Sequence, residues 1–234
     1  MVGNCTVPLP VRCSGKILGE VLVPGATRPR GRPPRHTTAE ITAAACRLAD
    51  REGIEVVTMR RVAAELGVGA ASLYTYVATR DDLLDLMQDA VADEYQLGAL
   101  TGDWLADVVA VAMQTREILL RHPWAVALVE ARPSTGLRGL DVFEHVLAAL
   151  ADHPADDDSK LVAYGAVNAV VIAFVRSETS AHRMAARTIA QLTEAANDGR
   201  HPHIAALRLE HQGSGEENLR RTITGILTGL LPDS

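Results

Sequence analysis

Apolar residues recur at helical spacing from Thr37 onward, and Gly, Pro and capping residues cut the pattern into segments. Ile41, Ala45 and Leu48 share one face of a first helix, which Gly53 ends. Thr58 is suited to cap a second helix that buries Met59, Val62, Ala63 and Leu66 and stops at Gly67. A short third helix is expected from about Ala70 to Val77, with Leu73 and Val77 one turn apart on its inner face. Thr79, with Asp82 three residues on, resembles the capping box of a fourth helix reaching about Leu97. Next, Trp104, Val108, Val111, Thr115 and Ile118 form one stripe, and Pro123 opens a short helix. Leu140, Phe143, Leu147 and Leu150 form another stripe, ended by the polar loop 153–158. Residues 161–175 are apolar almost all round, the mark of a helix buried on both sides. Helical residues continue over 180–196, and Leu219, Ile223, Ile226 and Leu230 mark a last helix.

Hydrophobic residues make up 47% of the chain but aromatics only 3%, so Ala, Leu and Val must fill the core. That favours closely packed helices over sheets. The expected fold class is all-α. Residues 1–36 repeat Pro, Gly and Arg without periodicity and read as a disordered basic extension. Residues 37–82 form a three-helix headpiece, and 83–234 a linking helix with a larger helical domain. The net charge of −6 argues against a protein that coats nucleic acid, but its distribution changes the picture. Residues 1–35 carry +5, residues 36–82 carry −2 and the remainder −9. A basic arm on an acidic body suits local DNA contact. Cys5, Cys13 and Cys46 form neither a paired framework nor a metal-ligand spacing. No apolar run reaches membrane-spanning length, and residues 1–27 lack a signal-peptide core, so a cytoplasmic protein without a membrane partner is expected.

Three short helices in sequence, the second and third separated by a glycine turn, describe a helix-turn-helix. Gly67 is needed there because the chain must leave the helix in a left-handed conformation. The outer face of the third helix then offers Ala70, Ala71, Ser72, Tyr74 and Thr75. Small side chains let the backbone approach base edges, and hydroxyls can contact bases or phosphates. Arg60 and Arg61 project opposite the apolar stripe of the second helix, and Arg80 stands at the start of the fourth, a favourable place for a phosphate. In the extension, Arg30-Gly31-Arg32-Pro33 resembles an AT-hook core that would put Arg32 in the minor groove. A basic tail giving nonspecific attraction is the other reading.

The run from Thr58 to Val68 and its continuation from Ser72 to Leu84 resemble the signature of the tetracycline-repressor (TetR) family, over about residues 37–90. The resemblance implies that Tyr74 and Tyr76 contact the DNA backbone, that Arg80 meets phosphate and that Arg60 can reach a base. His122-Pro123-Trp124, Arg132-Pro133 and Tyr164-Gly165 resemble the family's helical ligand and dimer domain, over about residues 104–231. The implied partners are double-stranded operator DNA, a small-molecule effector of unknown identity and a second copy of the chain. Drug-binding members carry a metal-coordinating His four residues before the Arg-Pro pair. Leu128 stands there, so no magnesium–tetracycline site is expected.

Trp104, Phe143, Tyr164, Phe174 and Met184 are candidates for an effector cavity, with core packing as the other reading of each. Asn168 is a polar residue on an apolar stripe whose amide needs a partner: a ligand, another helix or another subunit. His201, His203 and His211 lie in a Gly- and Pro-containing loop without a supporting carboxylate or Cys, so they read as surface histidines and no metal is expected. No phosphate loop, nucleophile elbow or zinc-hydrolase motif is present, so neither catalytic residues nor a cofactor are expected. The sequence thus points to a ligand-responsive DNA-binding regulator, a repressor by the family's commonest role. A ligand-independent architectural protein and a helical carrier without DNA binding are the alternatives. The dimer is expected to form through residues 161–175 and the last helix, with Ala166, Val170 and Ala173 offering small side chains.

Overall fold

Thr37 starts the first helix, α1 (Thr38–Glu52), through a reciprocal cap: its hydroxyl accepts from the Glu40 amide, and the Glu40 carboxylate accepts from its own amide. Gly53 ends α1 at φ +89°, where a side chain would be strained. A single 3-10 turn, Ile54–Val56, leads to α2 (Met59–Glu65), capped by Thr58. Gly67, at φ +66°, turns the chain into α3 (Ala70–Leu73). Thr79 and Asp82 form the expected capping box of α4 (Arg80–Ala92). Ile41, Leu48, Val62, Leu73 and Leu83 are fully buried, so these helices close around one small core.

This structure is a computed structural model that describes residues 36–131, 136–206 and 214–232. The extension with Arg32 lies outside the described residues, as do Arg132, Pro133, His211 and the side chain of Met184. Among the described residues every regular element is helical. The larger part comprises α5 (Trp104–Arg121), α6 (Pro123–Ala131), α7 (Leu137–Ala149), α8 (Asp157–Asn197), the one-turn α9 (Pro202–Ala205) and α10 (Gly215–Leu230). Leu219, Ile223 and Leu227 of α10 face the buried edge of α8, at Ala163, Val167, Val171 and Val175, while α5 packs against α7, α8 and α10. Arg116 of α5 ties to Glu178 of α8 by two hydrogen bonds of 3.1 and 2.7 Å. The second half of α4 packs on α6 and α7 and so joins the headpiece to the rest.

Several expectations need correction. The third helix is one turn, 70–73, followed by turns through 76, because Ser72 and Thr75 bond back to nearby carbonyls. The fourth helix ends at Ala92 instead of Leu97. Residues 161–175 and 180–196 belong to one helix of 41 residues. Within it, Asp157–Thr179 is long and apolar enough to cross a membrane by length and composition, contrary to the expectation that no run would be. Of the 18 consecutive residues that make it so apolar, only 22% are buried. Leu161 and Val162 stand exposed beside Gly165, Ala169 and Ala173, so the helix is covered on one side only.

The cap of α4 is testable. Thr79→Ala removes one hydrogen bond of the box and should cost about 1 kcal/mol. In a chain of this size that is a fall of about 2–4 °C in melting temperature. Circular dichroism measures it; an unchanged melting curve would mean that the box does not hold α4.

Candidate functional site

Two places on the chain have the geometry of a site. The first is the surface around α3. Its inward residue Leu73 is buried, as is Val77, which pins the segment to the headpiece core. Ala71, Ser72, Tyr74 and Thr75 are exposed, Tyr74 by 54%, whereas Ala70 and Tyr76 are half-buried against the core. The Ser72 hydroxyl donates to the Gly69 carbonyl at 2.7 Å, and the Thr75 hydroxyl to the Ser72 carbonyl at 2.7 Å. With their protons committed, both hydroxyls present lone pairs outward, an arrangement suited to an amino donor on a base edge.

The arginines divide in a way the sequence did not reveal. Arg60 is exposed and makes no ion pair among the described residues. Arg61 is bound by Glu52, with both carboxylate oxygens at 2.7 Å. Arg80 turns back: its Nε donates to the Val57 carbonyl at 2.7 Å and its Nη2 to the Ile54 carbonyl at 3.3 Å. The first carbonyl belongs to the residue that follows the 3-10 turn between α1 and α2, the second to the residue that opens it. Arg80 therefore fastens the start of α4 to the headpiece and keeps its remaining N–H groups for an anion.

The second place is a cavity of about 320 Å³ between α4, α5, α6, α7 and α8. Its wall is mostly apolar, from Val91, Ile118, Leu119, Val142 and Ile172 among others. Its polar groups are Gln88, Asp89, Tyr95, Thr115, Tyr164 and Asn168. Of the residues expected from sequence, Tyr164 and Asn168 line it. Phe143 stands beside Tyr164 with ring centroids 4.9 Å apart, Trp104 packs edge-on to His153, and Phe174 packs half-buried on the core; none of these three lines the cavity. Asp89 accepts from the Arg138 amide at 2.8 Å. Burial pushes the Tyr95 phenol up to about 12 and outweighs its bond to Thr115. Sequence reasoning missed Tyr95, Gln88 and Asp89 because the far end of the fourth helix looked like a plain linker. Thr115, a hydroxyl on an apolar stripe, was the signal available.

A polar cluster ties α1 of the headpiece to the α5–α6 corner. His122 sits between α5 and α6 with Nδ1 2.7 Å from Asp50 of α1 and Nε2 2.8 Å from Glu94, just beyond α4. The Trp124 indole donates to the same Asp50 oxygen at 2.6 Å. Partial burial works against the Glu94 charge, yet hydrogen bonds from Arg121 and His122 outweigh it and hold its carboxyl below the usual range. Among the described residues no group of three or more His, Cys, Asp or Glu is placed to hold a metal ion.

Comparison with known proteins gives concordant matches. Residues 41–87 match the bacterial regulatory proteins of the tetR family, and residues 99–229 match the tetracyclin repressor-like C-terminal domain. The chain is 33% identical over 225 residues to the HTH-type transcriptional repressor DrrR1 of Streptomyces coeruleorubidus, covering 90% of this chain and 83% of that one. It is 41% identical over 147 residues to an HTH-type transcriptional regulator of Saccharopolyspora erythraea, covering 62% of each chain. ActR of Streptomyces coelicolor, solved in complex with actinorhodin, superposes with a TM-score of 0.72 at 26% identity. That superposition covers 84% of this chain and 97% of ActR.

The two free-standing roles of arginine predict different phenotypes. Arg60→Ala should weaken binding to duplex DNA while leaving the melting temperature unchanged. Arg80→Ala should weaken DNA binding and also lower the melting temperature, because the Val57 carbonyl loses its donor and the Ile54 carbonyl keeps only the Val57 amide. Fluorescence anisotropy at fixed salt, paired with thermal melting, separates the two; an Arg80→Ala protein of normal stability would remove its fastening role.

Proposed function

The chain belongs to the TetR family of bacterial transcriptional regulators, and from that premise we propose that it is a dimeric repressor released from a pseudo-palindromic operator when a small molecule fills the cavity. The observation that carries the proposal is the shared use of α4. Arg80, at its first residue, fastens the headpiece, while Gln88, Asp89, Val91 and Ala92 of its second half form cavity wall. A ligand that moves the wall moves the headpiece with it.

In this reading residues 37–82 bind DNA and 83–234 bind effector and partner. Ala71, Ser72, Tyr74 and Thr75 face the major groove, with Ala70 allowing close approach; Tyr76, Arg60 and Arg80 flank it. Tyr164 and Asn168 face the effector. The complex of ActR with actinorhodin supports a small-molecule site in a chain of this fold. Leu128 stands where a metal-coordinating His would be, which argues against a magnesium–tetracycline complex as that molecule. Working on chromosomal DNA, the protein is cytoplasmic.

Two headpieces must sit about 34–36 Å apart to enter successive major grooves on one face of the duplex. We assign the contact that sets this spacing to the uncovered side of α8. Val162, Ala166, Ala169 and Ala173 make a stripe at intervals of four, three and four residues. Gly225 and Gly229 of α10 are exposed, with no heavy atom within 4 Å of an added Cβ. Such surfaces permit close helix packing in a four-helix bundle. Val170, expected from sequence to face the partner, is half-buried in its own subunit's core. Ligand and DNA then favour different separations of the headpieces, and each weakens the other by the same factor.

A charge in that stripe tests the arrangement without touching the subunit core. Ala169→Glu should give folded monomers by light scattering, since an unpaired carboxylate buried between subunits costs several kcal/mol. Selection from a random duplex pool should yield an inverted repeat with the unaltered protein and none with the variant. A fully dimeric variant places the contact elsewhere, and selection of no sequence by the unaltered protein contradicts the regulator reading.

A further inference from the structure

The hydrogen-bond directions in the cavity wall carry information about the molecule that fits it. Thr115 has one hydroxyl proton. Its Oγ1 lies 3.0 Å from the Val111 carbonyl oxygen, which can only accept, so that proton is committed to the helix backbone. Tyr95 lies 2.8 Å from the same Oγ1. Since Thr115 has no proton left to give, the Tyr95 hydroxyl donates and Thr115 accepts. The chain of bonds runs from Tyr95 to Thr115 to Val111, and it spends the Tyr95 proton inside the wall. What Tyr95 offers to the cavity is a lone pair. Burial keeps the phenol protonated at neutral pH, with its value pushed up to about 12, so the group does not become an anion that would favour a cation.

The other polar groups are less committed. The side chains of Asn168, Gln88 and Tyr164 make no hydrogen bond among the described residues, and each can donate or accept. Asp89 is the one charged side chain among the described lining residues, and it is engaged by the Arg138 amide. The remaining wall is aliphatic. An apolar pocket with a few directed polar groups discriminates mainly through those groups, because a site group left unpaired on binding is costly.

We propose that the cavity selects a neutral, largely apolar molecule carrying a hydroxyl donor, which Tyr95 receives as acceptor while the Asn168 amide bonds a second polar group. The proposal rests on the reading of this cavity as the effector site. It assigns Thr115 as a specificity-setting residue that acts through Tyr95 by holding its proton.

Three compounds on one ring system supply the test: 9-phenanthrol, which can donate, 9-methoxyphenanthrene, which can only accept, and phenanthrene, which does neither. Calorimetric titration of the full chain should give 9-phenanthrol an advantage of about tenfold over the methoxy compound, the yield of one buried hydrogen bond. Tyr95→Phe should abolish that advantage and leave phenanthrene binding unchanged. Thr115→Val, of nearly the same shape, frees the Tyr95 proton to point into the cavity and should raise affinity for the methoxy compound. A merely structural role for Thr115 would not raise affinity for the methoxy compound. Equal binding of all three compounds, an advantage that survives Tyr95→Phe, no gain for the methoxy compound in Thr115→Val, or no binding at all overturns the proposal. Duplex selection on the same preparations keeps the two readings apart. A protein that selects no DNA but shows the donor preference fails as a regulator while the cavity assignment stands; the reverse outcome refutes this inference alone.

Discussion

The guanidinium of Arg80, bonded to the backbone oxygens of Val57 and Ile54, ties α4 to the headpiece at a point where no helical hydrogen bond could do so. The Ile54 carbonyl already accepts the Val57 amide at 3.1 Å within the 3-10 turn; the charged donor adds a second bond there and supplies one to the Val57 carbonyl. Buried Leu83 and Met87 then seat α4 in the headpiece core. Since Gln88 to Ala92 are already cavity wall, one helix of 13 residues serves both regions. In the proposed mechanism its stiffness carries the effect, because a packed helix shifts as a body rather than bending to absorb a small displacement.

The His122 cluster supplies a second tie between the same two regions, and it differs in kind. Asp50 of α1, Glu94 after α4 and the α5–α6 corner meet through one imidazole and one indole. Directional polar bonds of this sort hold a single arrangement better than apolar contact does. Glu94 contributes to stability where it is ionised. With its folded value lowered, that contribution is present above the ordinary carboxylate range and is lost as pH falls through the folded value. At neutral pH the Glu94 contribution is therefore fully present.

Much of this was readable in the residues. Thr58 and Thr79 marked two helix starts correctly, and Gly67 marked the turn, because capping and left-handed backbone have narrow residue requirements. Boundaries set by tertiary context were not readable. Helix was legible over both 161–175 and 180–196, but nothing local shows that the two form one unbroken helix reaching Asn197. The cavity was the least legible part. Trp104, Phe143 and Phe174 stood out by size, but large rings pack wherever the core has room. The wall is built largely from Ala, Val and Ile, with its polar groups spread over α4, α5, α8 and the segment after α4. Arg80 shows the same limit: spacing placed it at a helix start, but only the fold reveals that it faces inward.

The central claim is that occupancy of the cavity and DNA binding are coupled through α4, and a side chain can stand in for the missing effector. Ile172 projects into the cavity from α8, across from α4. Ile172→Trp fills part of that space permanently, with no contact to DNA. DNA affinity should be measured by fluorescence anisotropy on the duplex that the unaltered protein selects, with light scattering to verify the dimer. The account predicts a folded dimer whose affinity falls by about tenfold or more, a coupling of the usual size. A folded, dimeric Ile172→Trp protein that binds the duplex with undiminished affinity would contradict it.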